Sequence, residues 1–229
     1  MKVYFNGKKI HLFPRLMSKI GKGSEGQVYL YKKEALKLYH NPGFQGSSLS
    51  LKDALYLKEL STSNILLPNS ILTDDKNKII GYTTTYKEKS TDSIHDLKKE
   101  ELLSKLRQIK EELDYLSENG VLVNDWININ FLYDGSIIFF DPGMYEIASP
   151  EEYTKKQIYA HNYQQLRYFI LHELIVIEKY PKVYQCKMRE SFYKSLLEEY
   201  DEKVYHTIIE FLEEKMLSDE TLSEYILKK

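Results

Sequence analysis

Apolar and polar positions change their period partway along the chain. In the first part the apolar residues come in short runs. Val3-Tyr4-Phe5 and Ile10-His11-Leu12 flank Asn6-Gly7, two residues that tolerate positive φ, and this pattern predicts a hairpin. Lys19-Ile20 and Val28 to Tyr31 read as strands around a glycine-rich stretch. The polar turn Lys32-Lys33-Glu34 leads to a further strand, Ala35 to Tyr39, and Asn41-Pro42-Gly43 breaks the chain. Ser50 to Leu60 predicts a helix, because Leu51, Ala54, Leu55 and Leu57 recur near 3.6 residues and serine stands ready to cap it. Ile71-Leu72 and Ile79 to Tyr86 read as strands around the turn Asp74-Asp75-Lys76-Asn77. The sum is five or six strands in a small antiparallel sheet, with one helix against it.

Lys87 to Ser93 is polar and reads as a hinge; beyond it the period becomes helical. Leu97, Leu102, Leu103, Leu106, Ile109, Leu113 and Leu116 form one apolar stripe, ended by Asn119-Gly120. Val121 to Val123, Phe131 to Tyr133 and Ile137 to Phe140 predict short strands, the last two joined at Asp134-Gly135. From Glu151 onward the pattern predicts helices over about Tyr153 to Lys179, Val183 to Tyr200, and Glu202 to the end. The expected fold class is therefore α+β. A β-rich part (residues 1–87) precedes an α-rich part (88–229), and ligand sites favour such junctions.

Composition narrows the function classes. The 229 residues are 42% hydrophobic and 29% charged, with a formal net charge of -2. Such a chain can bury a core, and nothing in its bulk charge points to nucleic acid or an anionic membrane. Cys186 is the only cysteine, so no internal disulfide can form, which fits a reducing compartment. The most apolar run, Tyr168 to Ile177, is interrupted by His172 and Glu173 and falls short of the ~20 residues a bilayer span needs. With no apolar leader at the N-terminus, a cytoplasmic protein is expected. The six histidines are scattered without zinc-site spacing.

Five short pieces occur in one order. Gly21, Gly23 and Gly26 match G-x-G-x-x-G, and Ala35-Leu36-Lys37 follows. Asn124-Asp125-Trp126, Asn130 and Asp141-Pro142-Gly143 come later, with Asp125 and Asn130 spaced as D-x-x-x-x-N. The glycines alone are a weak signal, shared with dinucleotide-binding loops. In those the glycines open a helix, whereas Gln27-Val28-Tyr29-Leu30-Tyr31 reads as a strand. A Walker A loop is excluded by Leu16 and Gly23 at positions that would need Gly and Ser/Thr. Each aspartate motif is also an ordinary turn signal; their joint order and the β-then-α layout favour a common site.

From about residue 18 to residue 143 this arrangement resembles the protein-kinase superfamily. The resemblance implies a two-lobed kinase-like fold with a shortened helical C-terminal lobe. It implies that ATP and Mg²⁺ bind between the lobes and that the γ-phosphoryl group moves to a hydroxyl. It further implies that Gly21, Gly23 and Gly26 approach the phosphates and that Lys37 contacts the α- and β-phosphates. Val28 and Ala35 would form the roof of the base pocket and Leu132 its floor. Asp125 would orient the hydroxyl, and Asn130 and Asp141, hard oxygen donors, would hold the metal. Asp53 is the expected carboxylate partner of Lys37, with Glu59 as the alternative.

Departures from the family pattern qualify these expectations. Val123-Asn124 replaces His-Arg before the aspartate, which removes the usual grip on a phosphorylated activation loop. Pro142 replaces the phenylalanine of Asp-Phe-Gly, and Ala148-Ser149-Pro150-Glu151 follows Gly143 too closely for a full peptide-binding segment. Asn162, with Leu166, Phe169 and Leu174, resembles the helix that anchors the catalytic loop from below, where an aspartate is usual. The expected acceptor is a Ser/Thr hydroxyl of a protein. The alternatives are a small-molecule hydroxyl, or a nucleotide-binding pseudokinase acting as a scaffold. The chain is also short enough for a protein partner to complete the substrate site.

Overall fold

The computed structural model describes residues 1–41 and 49–229; the expected break at Pro42-Gly43 lies outside them. The chain is α+β. It runs β1 (Lys2–Phe5), β2 (Lys8–His11), β3 (Lys19–Lys22), β4 (Gly26–Tyr31), β5 (Glu34–Tyr39), α1 (Leu51–Leu57), β6 (Ser70–Thr73) and β7 (Ile79–Thr85). These strands form one seven-stranded sheet in the order β2-β1-β6-β7-β5-β4-β3, with every pairing antiparallel. Asn6 and Gly7 take the left-handed conformation that the first hairpin requires. The β4–β5 turn has the same form, with positive φ at Lys32 (51°) and Lys33 (76°). A two-residue turn of that hand matches the twist of its strands, so Glu34, expected in the turn, instead opens β5.

Strand alternation sorts the sheet residues onto two faces. Leu36, Leu38, Leu72 and Ile80 pack with Val3 and Leu12 on one face. Tyr39, Ile71, Ile79 and Tyr82 join the larger core on the other, together with Ala54 and Leu57 of α1. Ser50 caps α1 by accepting from the Asp53 N–H, and the helix ends three residues earlier than its apolar pattern suggests.

The rest of the chain comprises α2 (Lys99–Glu118), β8 (Val121–Leu122), β9 (Phe131–Tyr133), β10 (Ile137–Phe139), β11 (Glu146–Ile147), α3 (Lys155–Tyr168), a π-helical stretch (Phe169–Val176), α4 (Ile177–Lys179), α5 (Cys186–Glu199), α6 (Ile208–Lys215) and α7 (Leu222–Lys228). β9 and β10 form the expected hairpin, and β8 pairs with β11, a strand the apolar pattern does not announce. The segment read as one helix from Glu202 to the end is two. Thr207 and Thr221 each close a capping box, with Glu210 and Glu224, and so start separate helices. α3 likewise starts at a Thr154–Gln157 capping box and passes into the π-helical stretch, where seven of the eight residues are buried. Among the described residues no helix is long and apolar enough to cross a membrane.

Candidate functional site

The register of three strands builds the back of a cleft. Val28 on β4 is paired with Lys37 on β5, and Lys37 with Tyr82 on β7. Directly cross-strand residues share a face, so these three side chains form one row. Ala35 and Thr84 form the next row. Gly21, Val28, Ala35, Leu66, Thr84 and Leu132 line a cleft of about 300 Å³ whose inner end is Lys37, Tyr82 and Asp141. The expected roof and floor residues thus face one space. The glycines join two strands as the pattern suggests: Gly21 lies in β3, Gly26 opens β4, and the Gly23 N–H closes the turn onto the Gly26 carbonyl at 2.9 Å. A Cβ on Gly26 would lie 2.3 Å from the Leu38 carbonyl oxygen, so only glycine lets β4 pass β5 there.

Lys37 and Asp141, 104 residues apart in the chain, meet at the end of this cleft. The Lys37 Nζ stands 2.6 Å from Asp141 Oδ1 and 2.7 Å from Oδ2. Lys37 is only 6% exposed, and an ammonium so buried needs anionic partners. Its second carboxylate is not the expected one. Glu25, inside the glycine turn, reaches Nζ with Oε2 at 2.7 Å. Asp53 is instead engaged at the start of α1, where its Oδ2 accepts from the Ser50 hydroxyl at 2.7 Å and its N–H donates to Ser50 Oγ at 3.0 Å. Helix capping competes for a carboxylate in the first turn, and here capping wins. Glu59, the alternative, lies beyond the end of α1 and is exposed.

Asp141 is held from a second side by the Tyr82 hydroxyl, which donates to Oδ1 at 2.6 Å. Burial, reinforced by the Asp141 charge, raises the Tyr82 pKa well above that of a free tyrosine, so Tyr82 stays a donor throughout the neutral range. Asp141 itself has a left-handed backbone (φ 67°) and is followed by buried Pro142 and Gly143. A Cβ on Gly143 would come within 3.0 Å of Asp141 Oδ1 and 3.2 Å of Lys37 Nζ; the glycine keeps that corner clear.

Asp125 sits on a loop closed by its own asparagine. The Asn130 Nδ2 donates to the Asp125 carbonyl at 2.9 Å and to its Oδ2 at 2.8 Å. This gives D-x-x-x-x-N a structural meaning as well as a chemical one. The neighbouring residue, Trp126, is 1% exposed and stacks on Phe139 at 3.8 Å. Its Nε1 donates to the Tyr145 hydroxyl at 3.1 Å. The exposed Asp125 carboxylate therefore stands on a buried aromatic anchor. Below, Asn162 accepts from the Val123 N–H and donates to the Val121 carbonyl, both at 2.8 Å. This is the support that its spacing suggests. Asn124, in place of arginine, donates to the Met144 carbonyl at 2.9 Å and ties the loop to the segment after Asp141. Desolvation raises the Asp125 pKa, the Asn130 hydrogen bond opposes the rise, and the nearby Asp141 charge adds to it.

Asn130 immediately precedes β9 and Asp141 follows β10 by two residues, so the two flank one hairpin, and the Phe140 N–H donates to the Asn130 carbonyl at 3.0 Å. The Asn130 amide nitrogen is committed to Asp125, and among the described residues no hydrogen bond occupies its side-chain oxygen, an oxygen of the type that hard cations take. Two protein oxygens, completed by water and phosphate, are a donor set that suits Mg²⁺. Among the described residues no group of three or more His, Cys, Asp or Glu is disposed to hold a metal alone. Both Asp141 oxygens contact Lys37, so a cation there would share Asp141 with the lysine.

Two members of the cluster, Glu25 and Tyr82, were not anticipated from the sequence. Tyr82 could have been found by writing out the β5–β7 register from Lys37, and Glu25 by asking which charged residue interrupts the glycines. A scan against family models and a search of curated proteins each return no match to this chain.

Proposed function

We propose that this chain is an ATP- and Mg²⁺-dependent phosphotransferase with a two-lobed protein-kinase-like fold, residues 1–87 forming the first lobe and 88–229 the second. The observation that carries the reading is the meeting of Lys37 and Asp141 at the inner end of a cleft whose walls include Val28, Ala35 and Leu132. Phosphoryl transfer needs positioning and charge neutralisation more than covalent help. Lys37 would take the phosphates, and the apolar walls would take the base. Asn130 and Asp141 would hold Mg²⁺, which when bound neutralises phosphate charge. Asp125 would orient the acceptor hydroxyl and accept its proton; its raised pKa makes it a better proton acceptor than an ordinary aspartate.

The acceptor class we favour is a Ser/Thr hydroxyl, including one on this chain. A small-molecule hydroxyl is the second reading, and one observation favours it. After Asp141 the chain turns, pairs Glu146 and Ile147 with β8, and enters α3 at Lys155. Little chain remains there to cradle a peptide. The protein incubated with γ-labelled ATP and Mg²⁺ should label itself, a peptide or a metabolite hydroxyl. ATP binding without transfer to any acceptor would favour a nucleotide-binding scaffold instead.

A further inference from the structure

Glu25 is a carboxylate in the cleft to which the phosphotransfer scheme gives no task. We propose that it is a counter-anion holding the place of a phosphate on Lys37, and that it makes the cleft select metal-loaded over metal-free nucleotide. This inference rests on the nucleotide reading above.

The donor count carries it first. An ammonium has three N–H bonds, and three oxygens lie 2.6–2.7 Å from the Lys37 Nζ: Glu25 Oε2 and both Asp141 oxygens. A phosphate can reach Nζ only when a carboxylate yields. Asp141 is the better held, by the Tyr82 hydroxyl and by a turn whose Pro142 and Gly143 are buried. Glu25 reaches Nζ through one oxygen at the end of a flexible side chain. Its backbone is fixed, because the His40 N–H donates to the Glu25 carbonyl at 2.8 Å and Gly26 is pressed against the Leu38 carbonyl. Exchange therefore requires a side-chain rotation and not an opening of the turn.

The charge count carries it further. At the inner end of the cleft Glu25 and Asp141 both pair with the Lys37 ammonium and the Asp125 charge lies nearby, while the cleft's other lysines, Lys87 and Lys89, follow β7, Lys87 pairing with Asp134 at 3.4 Å. At that inner end a bare triphosphate meets two carboxylates against one ammonium, and a bound divalent cation offsets the excess. Repulsion of the wrong ligand is an ordinary route to selectivity.

The test titrates the wild-type protein, Glu25→Gln and Glu25→Ala with adenosine, with ATP in a chelator, and with ATP in Mg²⁺. Glu25→Gln keeps the shape and removes the charge; Glu25→Ala removes both. Both variants should bind chelated ATP about tenfold more tightly than wild type. Mg-ATP affinity should rise about threefold or less, and adenosine affinity should stay within about twofold. If chelated ATP binds the variants no more tightly, while adenosine and Mg-ATP still bind, Glu25 is no placeholder and the nucleotide reading survives without it. If the variants lose adenosine too, Glu25 supports the turn and the inference is overturned. If wild type binds none of the three ligands, the nucleotide reading falls and takes the inference with it.

Discussion

The two aspartates of the cluster share a positive φ and differ in their neighbours. Asp125 and Asp141 both take left-handed φ, at 65° and 67°. Asp141 is surrounded by donors: the Lys37 ammonium on both oxygens and the Tyr82 hydroxyl on one. Asp125 has the Asn130 amide, feels the Asp141 charge, and carries a raised pKa. One carboxylate is compensated and fixed, fit to hold charge. The other has one amide donor and is partly desolvated, an environment that on the proposed reading suits it to take a proton. The same residue type with φ of the same sign meets two different sets of neighbours, and on the proposed reading these divide the labour between the two carboxylates.

The sharpest break in this comparison comes from removing each charge in turn. Asp125→Asn keeps a residue that tolerates left-handed φ. It should lower phosphoryl transfer by ~10²–10⁴-fold while Mg-ATP affinity, read by calorimetry, stays within about threefold. Asp141→Asn should do the reverse at the binding step and weaken Mg-ATP by at least about tenfold, because it removes a carboxylate from the metal and the partner of a buried lysine. Equal effects of the two substitutions on binding would erase the distinction.

A smaller change loosens Asp141 without removing it. Tyr82→Phe deletes one hydrogen bond to a charged group, worth ~1.5–3 kcal/mol when buried. Mg-ATP affinity should fall by about ten- to a hundredfold, with the pH profile of transfer unshifted. A shifted profile would mean that Tyr82 acts on Asp125 instead.

The pH profile itself tests the other aspartate. Desolvation raises the folded-state pKa of Asp125, so as pH falls its base form is lost earlier than for a free aspartate. The acid limb of the transfer rate should therefore lie above the ordinary aspartate value of about 3.9. A raised carboxylate pKa costs stability above the unfolded-state pKa, and that cost disappears as pH falls below it. Asp125→Asn should then melt slightly higher than wild type at neutral pH, by at most a few degrees, and equal to it well below about pH 4. The smallest effect belongs to Asp53. Asp53→Ala should cost up to ~1 kcal/mol of stability as a weakened helix start, visible in a melt, and leave nucleotide binding and transfer unchanged.

Much of this was legible in the residues because it depends on local chemistry. The Asn6-Gly7 hairpin, the β5 strand and the long apolar stripe of α2 follow from turn geometry and periodicity. The meeting of Lys37 and Asp141 agrees with their place in the ordered motifs; Asp125 and Asn130 pair with each other and do not line the cleft. What was not legible depends on competition between partners. Asp53 has the right chemistry to pair with Lys37, but Ser50 claims it at the helix start, and Glu25 takes its place from within a turn whose glycines carry the recognisable pattern. The apolar period alone joins α6 and α7 into one helix, and it is the capping signals that divide them. Thr207-x-x-Glu210 and Thr221-x-x-Glu224 are readable start signals. β11 has only two residues and pairs by tertiary placement, so no local pattern could announce it.

On the proposed reading, Lys37 and Asp141 form the phosphate and metal end of a nucleotide cleft. Equilibrium titration of wild type, Lys37→Ala and Asp141→Asn with Mg-ATP, using adenosine as the control ligand, tests it most directly. The account predicts saturable Mg-ATP binding to wild type, a loss of at least about tenfold in each variant, and adenosine affinity unchanged in all three. Absence of Mg-ATP binding to wild type, or variants that bind it as well as wild type does, would contradict it.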